Sequence, residues 1–144
     1  MGYSNKGHEG FLGNSVIGEW CNLGADTNNS NLKNNYSNIR IWDYTTQDYI
    51  DTGLQFFGLV MGDFSKTAIN SQFNTGTIIG VSANVFESGF PPKYIPSFSW
   101  GGGKNSERFD LEKSYESASK MMERRKKILT EGDKSILKNI FTKG

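Results

Sequence analysis

The chain is poor in the residues that build disulfide frameworks and metal centres. Its 144 residues include one cysteine, Cys21, and one histidine, His8. A single cysteine excludes an internal disulfide and is typical of a reducing compartment, so we expect a cytoplasmic protein. The 16 basic and 15 acidic residues give a net charge of +1, which does not indicate a nucleic acid or an anionic membrane as partner.

Long apolar runs are also missing. No stretch approaches the roughly 20 apolar residues of a membrane-spanning helix, and the first residues lack the basic and apolar regions of a signal peptide. We therefore expect no membrane association. The length is that of about one domain.

Composition divides the chain into two regions. Glycine, asparagine, serine and threonine dominate up to residue 103, whereas lysine, arginine and glutamate dominate from Glu107 onward. The proline-containing stretch 89–103 lies between them, where a boundary between elements is expected. We assign residues 1–103 to one domain and residues 104–144 to a helical extension.

A six-residue repeat organises the first region. Five consecutive hexads cover residues 61–90, starting at Met61, and two more, IGEWCN and LGADTN, lie upstream. Mostly apolar residues fill the first position of each hexad: Ile17, Leu23, Met61, Thr67, Phe73, Ile79 and Val85. Small residues fill the fifth: Cys21, Thr27, Ser65, Ser71, Thr77, Ala83 and Gly89.

This period fits neither an α-helix nor a β-strand of that length, and it favours a β-solenoid. Each hexad then forms one side of a coil, with its first residue in the core and its small fifth residue at the corner. A coil of three hexads has about 18 residues, and the coils stack through their backbones. The alternative is a glycine-rich antiparallel sandwich, which does not explain the constant phase. Cys21, as a fifth-position residue, is expected in the core.

Residues 29–58 have no hexad phase and are predicted to be an insertion. Alternating Ile39, Ile41 and Tyr49, with turn-forming residues at 45–47, predict a β-hairpin. Solenoid insertions often lie on the binding face, although this one could equally be a plain loop. Lys33 and Arg40 flank it and could meet a phosphate or remain solvated.

The second region is predicted to be helical. Ser106 is a candidate cap for a helix carrying Leu111, Tyr115, Ala118, Met122 and Leu129, which Gly132 would end. Asp133 is a candidate cap for a second helix with Ile136, Leu137, Ile140 and Phe141. We expect the first stripe to pack on the solenoid or on a neighbouring subunit. The basic run 124–127 could bind phosphate or coenzyme, or it could be a solvated face near the helix C-terminus.

The hexads resemble those of the left-handed parallel β-helix acyltransferases. The stretch GHEGFLGNSVIGEWCNLGADT is similar to the acetyltransferase region of the bifunctional enzymes that make UDP-N-acetylglucosamine. With PPKYIPSFSWGG, the resemblance extends to the C-terminal region of related sugar nucleotidyltransferases and covers about residues 2–103. It implies an all-β left-handed parallel β-helix with an inserted hairpin and a C-terminal helical tail.

The resemblance also implies roles for individual residues. His8, in the glycine-histidine pair, would be the general base for N-acetylation of an amino sugar phosphate, with acetyl-CoA as co-substrate. Asn22 would contact the sugar, and Phe11 stands where the family has a substrate-contacting tyrosine. Coenzyme contacts fall on Asn31 by ungapped counting or on the Asn35–Tyr36 dipeptide, and also on Ala68. The alternatives are a solvated turn histidine and turn-forming asparagines.

The chain also departs from the family pattern. The hydroxyl expected at Phe11 is absent, and the upstream coils that hold the sugar phosphate do not precede His8. We therefore expect a C-terminal piece of a longer protein that also carries an upstream nucleotidyltransferase domain. The family assembles as homotrimers with acyl-transfer sites between subunits, and we expect the same here.

Two functions remain open at this stage. One is an acyl-CoA-dependent acyltransferase domain with His8 as base, and the other is a silent module that trimerises a sugar-1-phosphate nucleotidyltransferase. A β-helix carbonic anhydrase needs three zinc-bound histidines, and a single histidine per chain argues against it.

Overall fold

The computed structural model describes residues 1–144, and most of its strands stack in parallel. Face I contains β1 (Val16–Ile17), β6 (Leu59–Met61), β9 (Thr77–Ile79) and β11 (Tyr94–Ile95). Face II contains β2 (Asn22–Leu23), β7 (Lys66–Thr67), β10 (Asn84–Val85) and β12 (Ser99–Gly101), and face III contains β3 (Asn28–Asn29) and β8 (Gln72–Phe73). The chain visits the faces in the repeating order I, II, III, which is a three-sided solenoid. Parallel pairing excludes the antiparallel sandwich.

The register confirms the repeat length. Lys66 pairs with Asn84, so these neighbouring coils are 18 residues apart. Asn22 pairs with Lys66 across a much longer interval because the insertion lies between them. Asn29 pairs with Phe73 inside β3, so the coil continues one residue into the range assigned to the insertion. At the other end, β13 (Glu107–Arg108) pairs antiparallel with β12, which extends face II beyond residue 103.

The interior follows the hexads closely. A buried cluster unites five first-position residues, Leu23, Met61, Phe73, Ile79 and Val85, with the small fifth-position residues Cys21 and Ala83. It also contains Leu59 and Ile95, which lie outside the hexads and pair with Thr77 and Ile79 of β9. Cys21 is in this core as predicted, and burial raises the pKa of its thiol. Gly89 is the exception, because it is exposed and lies where the fifth hexad leaves the coil pattern.

The corners are made by the fourth residue of the hexad, not by the fifth as the sequence suggested. Trp20, Asp26, Phe64, Asn70, Gly76 and Ser82 all have positive φ between 54° and 69°. A left-handed residue reverses the chain tightly, and stacked coils tolerate its strain because neighbouring backbones hold it in place. The small fifth residue follows the turn and points into the narrow interior, where little room exists.

The predicted hairpin is present within the insertion. It comprises β4 (Arg40–Asp43) and β5 (Asp48–Asp51) in antiparallel register. The hairpin lies against face I, where the Trp42 ring stacks on Tyr94 at a centroid distance of 4.5 Å. Lys93 donates a hydrogen bond to the backbone oxygen of Arg40 at 2.6 Å. The insertion therefore covers part of one side of the solenoid.

The two C-terminal helices are present, but their caps differ from the predicted ones. Helix α1 (Leu111–Glu123) is capped by Asp110, because Ser106 donates instead to the backbone oxygen of Gly103. It ends before Leu129 since Lys126 adopts a left-handed backbone, with φ of 56°. The second helix, α2 (Glu131–Lys143), is capped by Thr130.

Gly132 and Asp133 also have roles other than those predicted. Both lie inside the first turn of α2, so Gly132 does not end a helix. Asp133 is the third helical residue, and its carboxylate accepts a hydrogen bond from the backbone N–H of Thr130. In return, the Thr130 hydroxyl accepts a hydrogen bond from the backbone N–H of Asp133. This reciprocal capping box satisfies two backbone donors that the helix itself leaves free.

Helix α1 packs on the corner between faces I and II, as its apolar stripe predicted. Ala118 and Met122 are buried in a second cluster with Trp20 and Phe98 of that corner, and Leu111 and Tyr115 border it. Phe109, Leu129 and Leu137 complete the cluster from the segment before α1, the linker and α2. Neither helix has the length and apolarity needed to cross a bilayer.

Candidate functional site

His8 is exposed at a corner of the first coil, where face II gives way to face III. Its segment stacks on the next coil, because the N–H of Leu23 donates to the oxygen of Asn5 and that of Asp26 donates to the oxygen of Glu9. His8 therefore lies one coil above Ala25. Its imidazole makes no hydrogen bond within the chain, which leaves both ring nitrogens available.

The backbone around His8 is held by two neighbours. The Lys6 ammonium donates to the backbone oxygens of His8 and Glu9, at 3.3 and 2.7 Å. Gly10 has a φ of 120°, and a Cβ there would lie only 2.2 Å from the backbone oxygen of Thr27. Only glycine allows this close approach, so the corner that presents His8 depends on it.

Asn22 lies on the outward side of face II and is exposed. In the register, Asn22 lies between Asn5 and Lys66. The Asn5 amide lies 3.5 Å from the Asn22 carbonyl oxygen, at the outer limit of a hydrogen bond. The side chain of Asn22 thus belongs to a polar row that continues along the stack.

His8 and Asn22 occupy adjacent coils, with Asn22 three residues before the position beneath His8. With a rise of about 3.3 Å per residue and a coil spacing of about 4.8 Å, their Cα atoms are at most roughly 11 Å apart. A sugar phosphate is long enough to reach both residues. Their joint action on one substrate stays a prediction.

Phe11 lies on face III rather than on face II with Asn22. Its N–H donates to the Asn28 side-chain oxygen at 2.8 Å, and its own backbone oxygen accepts from Asn29. The ring, 53% exposed, lies across Gly13, where a Cβ would come within 2.3 Å of it. Phe11 therefore presents an apolar surface around the corner from His8.

The candidate coenzyme residues are divided between two places. Asn31 donates to the side-chain oxygen of Asn14 at 2.8 Å, beyond the end of face III. Asn35 accepts from the N–H and hydroxyl of Ser37 in a local turn, and Tyr36 is exposed with a φ of 58°. None of these three lies beside Asn22 in the same chain.

Ala68 is on the other side, at the end of β7 on face II. Its backbone lies directly against Gly24, where a Cβ would be 2.6 Å from the Ala68 carbonyl carbon. Its carbonyl oxygen accepts from the Ser71 hydroxyl at 2.7 Å. Ala68 therefore shares the His8 corner, two coils further along the stack.

The insertion carries a basic group of its own. Arg40 donates to the backbone oxygen of Tyr49, and Lys33 lines a shallow cleft of about 350 Å³ with Asn34 and Asn35. Burial, with Lys33 and Arg40 nearby, lowers the pKa of Lys93. Lys33 and Arg40, which the sequence indicated as possible phosphate ligands, therefore lie near a third cation, Lys93.

A second cleft, larger than the one at Lys33, lies between face II and the C-terminal end of α1. Its volume is about 620 Å³, and it contains Asn22. The remaining lining residues are Tyr3, Asn5, Trp20, Cys21, Lys66, Lys120, Met121, Arg124 and Arg125. Burial lowers the pKa of Lys66. The sequence pattern had indicated Arg124 and Arg125, but it did not indicate Lys66 and Lys120. Asn22 and Lys66 are both the sixth residue of their hexads, and this shared position could have identified Lys66 from the sequence.

Comparison with known proteins gives a distant similarity. No protein family model matches the chain. Bifunctional protein GlmU of Methanococcus aeolicus is 31% identical over 80 residues, which is 56% of this chain and 19% of that protein. The chain thus matches about a fifth of the length of this relative. The similarity relates this chain to a GlmU-like protein over that segment.

Proposed function

We propose that the chain is an acyl-CoA-dependent acyltransferase domain of left-handed β-helix type that N-acetylates an amino sugar phosphate. One observation carries this proposal: the parallel coil stack presents the exposed His8 imidazole, whose ring makes no hydrogen bond, one coil away from the exposed amide of Asn22. The similarity to a GlmU protein supports the transferase class. Acetyl-CoA is the proposed co-substrate.

In this proposal His8 is the general base. A neutral imidazole accepts a proton from the sugar amine as the nitrogen attacks the thioester carbonyl carbon. The new C–N bond forms, the C–S bond breaks, and the coenzyme thiolate leaves and takes up a proton. Backbone N–H groups at a coil corner would stabilise the oxyanion, while Asn22 orients the sugar.

The proposed site requires more than one subunit. Asn22 and Ala68 lie on face II, whereas Phe11, Asn31, Asn35 and Tyr36 lie on or beyond face III. One chain therefore does not enclose a substrate between these two sets. A homotrimer would set face II of one copy against another part of its neighbour, and closed symmetry is the usual arrangement for such a surface.

The test measures thiol release from acetyl-CoA with glucosamine 1-phosphate and other amino sugars. It uses this chain and a longer parent protein that includes the proposed upstream nucleotidyltransferase domain. His8→Ala is expected to lower turnover roughly a hundredfold or more, with the melting temperature unchanged. Glu9→Gln, at the same exposed corner, is the matched control and should retain activity. Equal rates for wild type and His8→Ala would overturn the role of His8.

A second candidate function has its own supporting observation. The family that this chain resembles has a tyrosine hydroxyl at the position of Phe11, whereas the phenylalanine ring here offers only apolar surface. A trimerisation module that has no transferase activity would tolerate this change. A stable trimer in sedimentation, together with no transfer to any amino sugar by the parent protein, would favour this alternative. A stable monomer would remove both the module and the inter-subunit site.

A further inference from the structure

The cleft between face II and the end of α1 combines two independent elements of the fold. Lys66 lies in the middle of the outward row of face II, between Asn22 and Asn84. Lys120, Arg124 and Arg125 approach from the last turn of α1 and the residues just after it. Side chains four residues apart share one side of a helix, so Lys120 and Arg124 face the cleft together.

These four cations have no anionic partners. The chain contains one ion pair, between Lys134 and Glu131, which lies on α2. None of the four side chains donates a hydrogen bond to a protein acceptor either, unlike Lys6 and Lys93, whose ammonium groups bind backbone oxygens. The nearby Asp63 carboxylate accepts from the N–H of Glu19. The cleft therefore collects four cationic side chains that form no ion pair or hydrogen bond within the chain.

Helix electrostatics alone does not account for this arrangement. Basic residues near the C-terminus of a helix interact favourably with its dipole, which explains Lys120, Arg124 and Arg125. Lys66 is not on that helix, although it lines the same cleft, and burial lowers the pKa of its ammonium. Burial of a cation costs stability unless an anion binds there.

The other lining groups suit a phosphorylated small molecule. The amides of Asn5 and Asn22 supply donors and acceptors for hydroxyl or phosphate oxygens. Tyr3, 46% exposed, stacks on Trp20 at 4.2 Å and forms one wall. A volume of about 620 Å³ falls in the range of small-molecule sites.

We propose that Lys66, Lys120, Arg124 and Arg125 bind the phosphate group of a small phosphorylated molecule in this cleft. Guanidinium groups bind phosphate oxygens in a bidentate manner, and the two lysines add point charge. The proposal stands on the cleft itself and does not require acyl transfer. A sugar phosphate and a nucleotide coenzyme share the recognised chemistry, and the experiment separates them.

The test is isothermal titration calorimetry on the complete chain at constant ionic strength. The probes are inorganic pyrophosphate, glucosamine 1-phosphate and adenosine 3′,5′-bisphosphate, with glucosamine and adenosine as phosphate-free counterparts. We expect at least one phosphorylated probe to bind and neither counterpart to bind. Preference for the sugar phosphate would identify an acceptor subsite, and preference for the bisphosphate would identify a coenzyme subsite.

Variants locate the binding. Arg124→Gln combined with Arg125→Gln, and separately Lys66→Met, should weaken phosphate binding about tenfold or more, because charge-assisted hydrogen bonds are lost. Removing these cations should not impair folding, because none of them forms an ion pair within the chain, and unchanged or increased thermal unfolding temperatures would verify this. Lys113→Gln removes the same charge from α1 outside the cleft and should bind like wild type.

Three results would overturn the proposal. They are no binding of any phosphorylated probe, binding that survives both cleft variants, and an equal loss of binding in Lys113→Gln. Each result concerns binding alone. An inactive acyltransferase that still binds phosphate in the cleft would refute the proposed reaction and leave this site standing.

Discussion

The coil stack and the C-terminal helices are stabilised in different ways. The stack buries a nine-residue cluster drawn from successive coils, whereas the helices share a seven-residue cluster with a single corner of the stack. In the stack, each buried residue has counterparts in the coils above and below. The helices depend on caps and on a few large side chains such as Trp20 and Phe98.

Because of this difference, the coil stack forms the framework of the molecule, and the helices complete its candidate binding cleft. Stacking produces rows of outward side chains, and the row that contains Asn22 and Lys66 is one of them. Rows alone give flat surfaces. The helices convert one end of that row into a cleft by adding Lys120, Arg124 and Arg125 across from it.

The largest expected effect is the loss of a stack residue. Phe73 is 1% exposed in the centre of the coil cluster, and Phe73→Ala should lower the free energy of unfolding by about 3 to 5 kcal/mol. Chemical denaturation measures it. Phe90→Ala is the matched control, because Phe90 is 58% exposed and lies where the hexads end. Similar losses in both variants would show that the coil core is not the main source of stability.

A smaller and more local effect is expected in the helices. Met122 is 7% exposed between α1 and the corner, and Met122→Ala should destabilise docking of α1 by about 2 to 4 kcal/mol. Hydrogen exchange should accelerate in residues 111–143 while the coils stay protected. Ile136→Ala, at a residue 62% exposed on α2, should leave exchange unchanged. Equal acceleration in the coils would mean that the two regions unfold as one unit.

The repeat made the coil core predictable from sequence, because a six-residue period fixes both the spacing of the buried side chains and the direction in which they point. Leu23, Met61 and Phe73 were placed correctly by phase alone. The corner chemistry was not, since left-handed backbone at Trp20 or Phe64 contradicts local propensity and is sustained by the stacked neighbours. Tertiary context decides such positions.

The candidate sites were predictable to different degrees. His8 was singled out because it is the chain's one histidine, and its corner position follows from counting residues along the coils; its catalytic role stays a prediction. The cleft was not found, because Asn22 and Lys66 become neighbours only when the insertion is removed from the count. Lys120 and Arg124 join them only through the docking of α1, which sequence periodicity does not orient.

The helix caps offer a finer test of the helical region. Thr130 and Asp133 form the capping box of α2, and Thr130→Ala should lower the free energy of unfolding of that region by about 1 kcal/mol. The loss should appear as faster hydrogen exchange in the first turn of α2. Thr45→Ala makes the same chemical change at an exposed residue of the hairpin turn and should have little effect. No change at Thr130 would mean that packing of Leu137 alone fixes the helix.

The smallest effect is expected where the two regions meet, and its sign is opposite. Burial lowers the pKa of Lys66 below its ordinary value of 10.5, so the folded protein disfavours the charged ammonium. Between the folded and unfolded pKa values the unfolded state binds more protons, and stability therefore rises with pH in that window. Below it, charged Lys66 costs stability. Lys66→Met removes this cost, so its melting temperature should exceed that of wild type at neutral pH, and the gain should shrink as pH approaches 10.5. Scanning calorimetry across this range measures the gain. Lys113→Met, on the exposed part of α1, is the control, and an identical pH-dependent gain there would contradict the assignment to the cleft.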